Sequence, residues 1–535
     1  MRFSFAKSKL PTLANSLLAV LSAILLTLAF PNFDLWFCAW FALVPLFFAI
    51  EREKESAVKS FILGWLFGTL FFSASCWWLT FSFTTYGGIP IWLAYILLFT
   101  ICAIVGVFPA IFAMAFSIVL KRFGNYGVLF ASVLWTAMEF LRANLADASW
   151  NAIGYSQAFT NHLIQTASFG GIYLVGFWIV LFNAILALNS FSILKIFLTK
   201  NHSQENIAAN KKIVYVSLLI ALFIIPFVSF PSFNYAENSN EETKNSIVVV
   251  QANVPMSGLN EEKWLKLRQR HVELAENALQ KLKAQRTTGN EQPITIIFPE
   301  SPMNFSYGED AELRTFLGNF ARKHNISVLF NSAEPNPNAD NYFNSAIMIN
   351  PQGAKIGQYD KIHLVPFGEF APVPSPIKPL VPTLVGSFQT GENYNLFPIG
   401  DAQAGIMICY ESHFPSLSRE FAKRGADILI EMTNDGYLGN TGVLRQHLAG
   451  AIFRAVETNR PVVRATNVGI TAYINERGEV SDAADVYTEA TRVWTVGKSD
   501  GKQTFYVRYG DWFAWLCSIA SLGLLIFSFW KRNEN

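Results

Sequence analysis

The sequence predicts two fold classes in one chain: a multi-span α-helical membrane domain of about eight transmembrane helices, and an external layered α/β domain. Three observations predict this. Half of the 535 residues (52%) are hydrophobic and only 15% are charged, against about 25% charged in an ordinary soluble chain. The imbalance is local, because 10–230 is a series of apolar runs and 236–510 has a soluble composition. Within 236–510, short β-branched runs alternate with helical ones.

Apolar runs of about 17 to 25 residues can span a bilayer as helices. Seven precede the polar region, near 13–30, 35–50, 61–81, 90–119, 126–141, 169–190 and 213–231, and an eighth follows near 512–530. Arg2, Lys7 and Lys9 precede the first run, as in a signal peptide. No clear small-x-small cleavage site follows and another run begins at once, so it reads as a span. With the N-terminus inside, the segments on that side hold Arg2, Lys7, Lys9, Arg52, Lys54, Lys59, Lys121, Arg122, Lys195, Lys200, Lys211, Lys212, Lys531 and Arg532. The short loops opposite hold only Arg142. The positive-inside rule then puts both termini in the cytoplasm and 236–510 outside. The expected domains are 1–235 with seven transmembrane helices, an external 236–510, and a C-terminal transmembrane helix in 511–535.

A net charge of +2 is too small to argue for nucleic acid, and no basic patch is interleaved with aromatics. No GxGxxG or P-loop pattern implies a nucleotide. His271, His324, His363, His413 and His447 lack metal-ligand spacing and read as surface or packing residues, so neither metal nor cofactor is expected.

In the external region SIVVVQ (246–251), ITIIF (294–298), SVLFN (327–331), SAIMI (345–349), AGIMI (404–408), DILIE (427–431), VVRAT (462–466) and TAYI (471–474) read as buried strands. Trp264, Leu267, His271, Leu274, Ala278 and Leu282 recur at helical spacing, the pattern of a helix packed on a sheet. Two or more strands per helix favour a layered sandwich over a doubly wound sheet.

Of five cysteines, Cys38, Cys76, Cys102 and Cys517 lie in apolar runs, and Cys409 alone lies in the external region. With no partner there, it reads as a free reactive thiol. Glu300 ends ITIIFPE, Lys361 lies in GQYDKIHLVPFGE and Cys409 ends AGIMIC. Ligands of α/β sheets collect beyond the carboxyl ends of strands, and Glu300 and Cys409 satisfy that rule directly. A carboxylate can deprotonate a thiol, and an ammonium can stabilise thiolate and oxyanion. Glu369 and Glu411 are further candidate carboxylates. The backbone N–H of Tyr410 is a candidate oxyanion-hole donor.

FPES (298–301), YDKIHLVPFGEF (359–370), ICYES (408–412), TNDGYLG (433–439) and RATNVGITAYINERG (464–478) together resemble the nitrilase superfamily. HLVPFGE, CYE and QHL (446–448), with LAFPNFDLWFCAWFALVPL (28–46) and IGYSQ (153–157), resemble its membrane-embedded branch, the apolipoprotein N-acyltransferases. The resemblance covers essentially the whole chain. It implies a nitrilase-like α-β-β-α sandwich and a Glu300–Lys361–Cys409 triad, with essential carboxylates at Glu369 and Glu411. Trp264 matches either a substrate-contacting tryptophan or a core residue. The implied reaction moves an acyl chain from the sn-1 position of a phospholipid, phosphatidylethanolamine by resemblance, through a Cys409 thioester. The acceptor is the α-amine of a diacylated apolipoprotein at the periplasmic face of a bacterial inner membrane. A membrane-tethered amidase or hydrolase is the alternative enzyme, and a ligand-binding receptor or transporter the alternative without catalysis. The chain departs from the family's wording at Gly436, Tyr437 and Leu438, at Val468 and at Ser149.

Overall fold

The computed structural model describes residues 10–146, 149–198, 244–285, 292–300, 306–370 and 388–530. The expected run 213–231 lies outside them. The chain divides into two compact units, Met1–Thr80 with Ile89–Ser232 and Asp511–Asn535, and Phe81–Gly88 with Phe233–Gly510.

Among the described residues of the first unit, four helical stretches are long and apolar enough to cross a membrane: Ala57–Ser75, Ile91–Leu145, Ala167–Ile193 and Trp512–Trp530. Leu13–Leu28 is a shorter apolar helix. The run at 35–50 is not one helix. It breaks into a 3-10 turn, Trp36–Trp40, and a helix, Val44–Glu53. Pro45 has no N–H and starts a helix rather than continuing one. Asn183 fills the break, accepting from the Leu43 N–H at 2.9 Å and donating to the Ala39 carbonyl at 2.8 Å. The run at 90–119 divides at Gly106 into Ile91–Val105 and Val107–Phe123. Gly64 and Gly68 let the Ala57–Ser75 helix approach Pro109 so closely that an added Cβ would lie 2.4 Å from the Pro109 carbonyl oxygen and 2.8 Å from its ring. Small residues four apart are the usual means of close helix packing in lipid.

Among its described residues the second unit has two six-stranded sheets. One runs β12-β1-β2-β3-β4-β5, with β1 Lys244–Gln251, β2 Ile294–Ile297, β3 Ser327–Pro335, β4 Tyr342–Ile349, β5 Lys355–Asp360 and β12 Ala490–Gly497. The other runs β11-β10-β9-β8-β7-β6, with β6 Leu396–Ile399, β7 Ala402–Ile408, β8 Ile428–Thr433, β9 Val462–Thr466, β10 Ala472–Ile474 and β11 Val480–Ser481. Each sheet has three parallel strands, β1-β2-β3 or β7-β8-β9, flanked by antiparallel ones. Helices Glu261–Gln285 and Ala311–His324 pack on the first sheet, and Pro415–Lys423 and Val443–Thr458 on the second. This is the α-β-β-α layering expected.

Local chemistry sets the helix ends. Asp310 caps Ala311–His324 by accepting from the Leu313 N–H at 2.8 Å, and Asn325 closes it at φ 54°. Glu261–Gln285 buries His271, Ala275, Ala278 and Leu279 against β1 and β2.

Candidate active site

Glu300, Lys361 and Cys409 each follow the end of a strand. Glu300 lies three residues beyond β2, Lys361 one beyond β5 and Cys409 one beyond β7. The structure brings all three together. Lys361 Nζ lies 3.9 Å from Glu300 Oε1, and the Cys409 thiol is close enough to Glu300 for each to shift the other's proton affinity.

Lys361 is 1% exposed and is held mainly by Glu369, whose Oε2 is 2.9 Å and Oε1 3.0 Å from Nζ. The Val365 N–H donates to Glu369 Oε2 at 2.8 Å. Burial pulls the Lys361 ammonium down, but the charges of Glu369 and then Glu300 outweigh it and hold the pKa above the usual lysine range. Lys361 therefore carries a fixed positive charge.

Because Glu369 takes the close contact with Lys361, Glu300 stays available as a base. Glu300 accepts from Asn344 Nδ2 on Oε1 at 2.9 Å and from the Asn434 N–H on Oε2 at 3.1 Å. Asn344 Nδ2 also donates to Glu369 Oε1 at 2.7 Å, so one amide spaces both carboxylates. Burial, with the Glu369 charge adding to it, raises Glu300 above the usual carboxylate range despite Lys361. Burial, then the Glu300 charge, raises the Cys409 thiol well above its ordinary value. The resting pair is thus a neutral thiol beside a carboxylate of increased basicity, so proton transfer can accompany attack.

Cys409 is part-buried and adopts φ 53°, a left-handed conformation uncommon for a side chain with a Cβ. It begins a 3-10 turn, Cys409–His413. Glu411 holds the strand end before it, accepting from the Ile408 N–H on Oε2 at 2.7 Å. Glu411 Oε1 accepts from the Tyr359 hydroxyl at 2.7 Å and the N–H groups of Ile362 and His363 at 2.8 and 3.1 Å. Glu411 thereby ties the cysteine turn to the segment that carries Lys361. Burial pushes it up to about 7 against these donors.

The ring of Tyr410 packs edge-on to Phe414 at 5.0 Å. Trp264 lies near the start of Glu261–Gln285, and among the described residues its buried Nε1 has no hydrogen-bond partner, so no described hydrogen bond ties it to the triad. The His363 ring stacks on Phe414 at 3.8 Å.

The turn Asp435–Leu438 follows β8 and holds the departure Gly436-Tyr437-Leu438. Asn434 is fixed there by Gly436 N–H and Asn467 Nδ2, both donating to its Oδ1 at 3.2 Å. Segment Phe81–Gly88 closes over this turn. Ser82 donates to the Tyr437 carbonyl at 2.7 Å, Tyr86 donates to the Gly436 carbonyl at 3.1 Å, and the Tyr86 ring lies edge-on to Tyr437.

The family model for the apolipoprotein N-acyltransferase N-terminal domain matches residues 22–185, and that for carbon-nitrogen hydrolases matches 247–504. The apolipoprotein N-acyltransferase of Geobacter metallireducens is 30% identical over 97% of this chain and 96% of its own. The chain belongs to the apolipoprotein N-acyltransferase family. It is an acyltransferase by that membership. The family's member from Pasteurella multocida is 27% identical over 92% of this chain and 91% of its own. Among solved structures, Saccharomyces cerevisiae Nit3, a member of branch 10 of the nitrilase superfamily, is 19% identical, covering 48% of this chain and 90% of that one at a TM-score of 0.35.

The sequence reading missed Asn344, the Asn434 N–H and the surroundings of His447. Asn344 sits in an ordinary strand pattern. Asn434 lies inside TNDGYLG, where the motif marks a position without saying what it does. His447, read as surface or packing, is a buried ion-pair member, and no local spacing reveals partners contributed by β8 and the turn after it.

Proposed function

We propose that this membrane-bound enzyme acylates the N-terminal α-amine of a diacylglyceryl-cysteine lipoprotein by a two-step transfer through Cys409. The observation that carries the reading is the buried arrangement of Glu300, Lys361 and Cys409 with Glu369 drawing off most of the lysine's charge. In the first step Cys409 Sγ attacks the sn-1 ester carbonyl of a phospholipid, with phosphatidylethanolamine the expected donor. The thiol proton passes to Glu300, and the Lys361 ammonium faces the developing oxyanion. The carbonyl–oxygen bond breaks, and Glu300 returns the proton to the leaving lysophospholipid oxygen. In the second step the acceptor amine attacks the thioester carbonyl, Glu300 takes the amine proton, the carbon–sulfur bond breaks, and Glu300 returns the proton to Cys409 Sγ.

Both substrates carry acyl chains that leave lipid only at high cost, which is what the apolar helices supply. Following the charge asymmetry, we assign 1–235 to a membrane domain with seven transmembrane helices, 236–510 to the periplasmic face of the inner membrane and 511–535 to a final transmembrane helix. Topology reporters fused at 240 and at 535 should report opposite sides, and the same side for both overturns this assignment.

The chemical test gives full-length enzyme phosphatidylethanolamine without acceptor. Intact mass should rise by one acyl group, and neutral hydroxylamine should remove it. Added diacylated lipopeptide should discharge the adduct and become triacylated. Cys409→Ala should form neither adduct nor product. An adduct that discharges to water as fast as to lipopeptide makes the enzyme a hydrolase instead.

A further inference from the structure

Behind the nucleophile lies a second set of ionisable groups that the proposed chemistry does not use. His447, on the Val443–Thr458 helix, is 1% exposed, and Glu431, Asp435 and Arg464 are each 0% exposed. Arg464 Nε donates to Glu431 Oε2 at 2.8 Å and its terminal nitrogen to Asp435 Oδ2 at 3.1 Å. His447 Nδ1 lies 2.7 Å from Asp435 Oδ1. His447 Nε2 is 3.1 Å from two oxygens, Glu431 Oε1 and the backbone carbonyl of Cys409. Among the described residues only the second is a hydrogen bond, since Glu431 Oε1 accepts none from them. The ring's outer proton is therefore aimed at the peptide of the nucleophile.

We infer that His447 is a positioning residue for Cys409, holding the carbonyl of its left-handed turn in place with a doubly protonated ring. This rests on the reading of Cys409 as nucleophile. A non-glycine residue at φ 53° persists only where its surroundings hold it. Glu411 secures the N–H before Cys409, and His447 secures the carbonyl after it.

The ring must carry both protons to do this. With Asp435 opposite Nδ1, a single remaining proton stays on Nδ1, and the bare Nε2 lone pair then faces the carbonyl. The surroundings favour the charged ring. Asp435 and Glu431 carry two negative charges and Arg464 one positive, so a cationic His447 makes the set neutral. A further titratable group faces it, the His413 ring stacked at 5.4 Å, which is itself acted on by Arg454 and Arg464. Burial and the neighbouring cations keep His413 neutral. Burial opposes the charge on His447, but Asp435 and Glu431 outweigh it and raise its pKa to about 9.

The test uses full-length enzyme and two rates: acyl loading from phosphatidylethanolamine, and alkylation of Cys409 by iodoacetamide, which needs no lipid. His447→Leu, scored per folded molecule, should lower both by about tenfold to a hundredfold, the loss of one charge-assisted hydrogen bond. His447→Gln keeps a donor and removes the titrating ring, so it should lose less. Wild type should lose loading rate as pH rises through about 9 while still folded, and His447→Gln should lack that limb. If His447→Leu does not fold, the Gln variant and the wild-type limb decide. Rates within twofold of wild type for His447→Leu, or an alkaline limb that survives in His447→Gln, overturn the inference. A wild type that forms no adduct fails the acyl-transfer reading, and the alkylation rates still decide the role of His447.

Discussion

Two buried clusters of ionisable groups adjoin Cys409, one at its thiol and one at its carbonyl, and they differ in charge balance. The cluster in front sets the carboxylates of Glu300 and Glu369 against the single ammonium of Lys361. The cluster behind sets Glu431 and Asp435 against Arg464 and a His447 held protonated. The front cluster is thus one positive charge short, and burial, which its single cation does not offset, raises the proton affinity of Glu300. The rear cluster is neutral, and its carboxylates Asp435 and Glu431 are both held below their ordinary pKa values despite burial. Two carboxylates and a lysine or arginine are common to both. Whether a second cation is present decides if the cluster can accept a proton or only hold a shape.

The largest effects should come from removing the shared cation in each. Lys361→Met should lower acyl loading by about 100- to 1000-fold, as expected for the loss of one oxyanion-stabilising group, while the protein still folds, because Glu300 and Glu369 can share a proton. Arg464→Met leaves two fully buried carboxylates facing one imidazolium. Breaking such a buried pair typically costs about 3–5 kcal/mol, so folded yield and thermal stability should fall first. Loading rates and melting curves for both variants check this. A folded Arg464→Met with normal stability would erase the distinction.

A smaller effect sharpens the front cluster. Asn344→Ala removes the amide that spaces Glu300 from Glu369. That hydrogen bond lowers the Glu300 pKa, so its loss should raise it further. In the proposed transfer loading requires Glu300 ionised, so the acid-side limb of the rate profile should move to higher pH, with a drop of about tenfold at neutral pH. An acid limb in the wild-type position would mean that Asn344 serves packing alone.

How much of this was legible in sequence depends on burial. The eight strands read from sequence are the eight interior strands of the two sheets. The four missed, β5, β6, β11 and β12, are the four edges. Interior strands such as Ile428–Thr433 are buried throughout and read as apolar runs, whereas the edge strand Lys355–Asp360 is largely part-exposed and mixes Lys, Gly, Gln and Asp. Because β5 was missed, the strand-end rule was applied to Glu300 and Cys409 alone, although Lys361 follows a strand end as they do. The triad was legible because its motifs are local. Asn344 and His447 were not, because their partners are brought together only by strand pairing: Asn344 of the β3–β4 hairpin meets a glutamate beyond β2, and His447 meets β8 and the turns after β7 and β8.

The rear cluster also predicts a modest stability change with pH. The His447 pKa is raised in the fold from an ordinary 6.5 to about 9. A base whose folded pKa is raised contributes stability that is fully present below its unfolded value and is lost as pH rises through the folded one. Asp435 is depressed, so its contribution is present above its unfolded pKa and disappears only in acid. Between neutral pH and about 10 only the His447 contribution of this pair therefore changes. Burial shields both groups from salt, so the loss should persist at high ionic strength, unlike that of a surface pair. Chemical denaturation at stepped pH should show wild-type stability falling through this window by about 1–3 kcal/mol, the scale of a hydrogen bond to a charged group. His447→Gln should start lower at pH 7 and stay flat. A wild-type profile as flat as the variant's would mean that the ring is neutral in the fold, and the rear cluster would then carry a net negative charge like the front one.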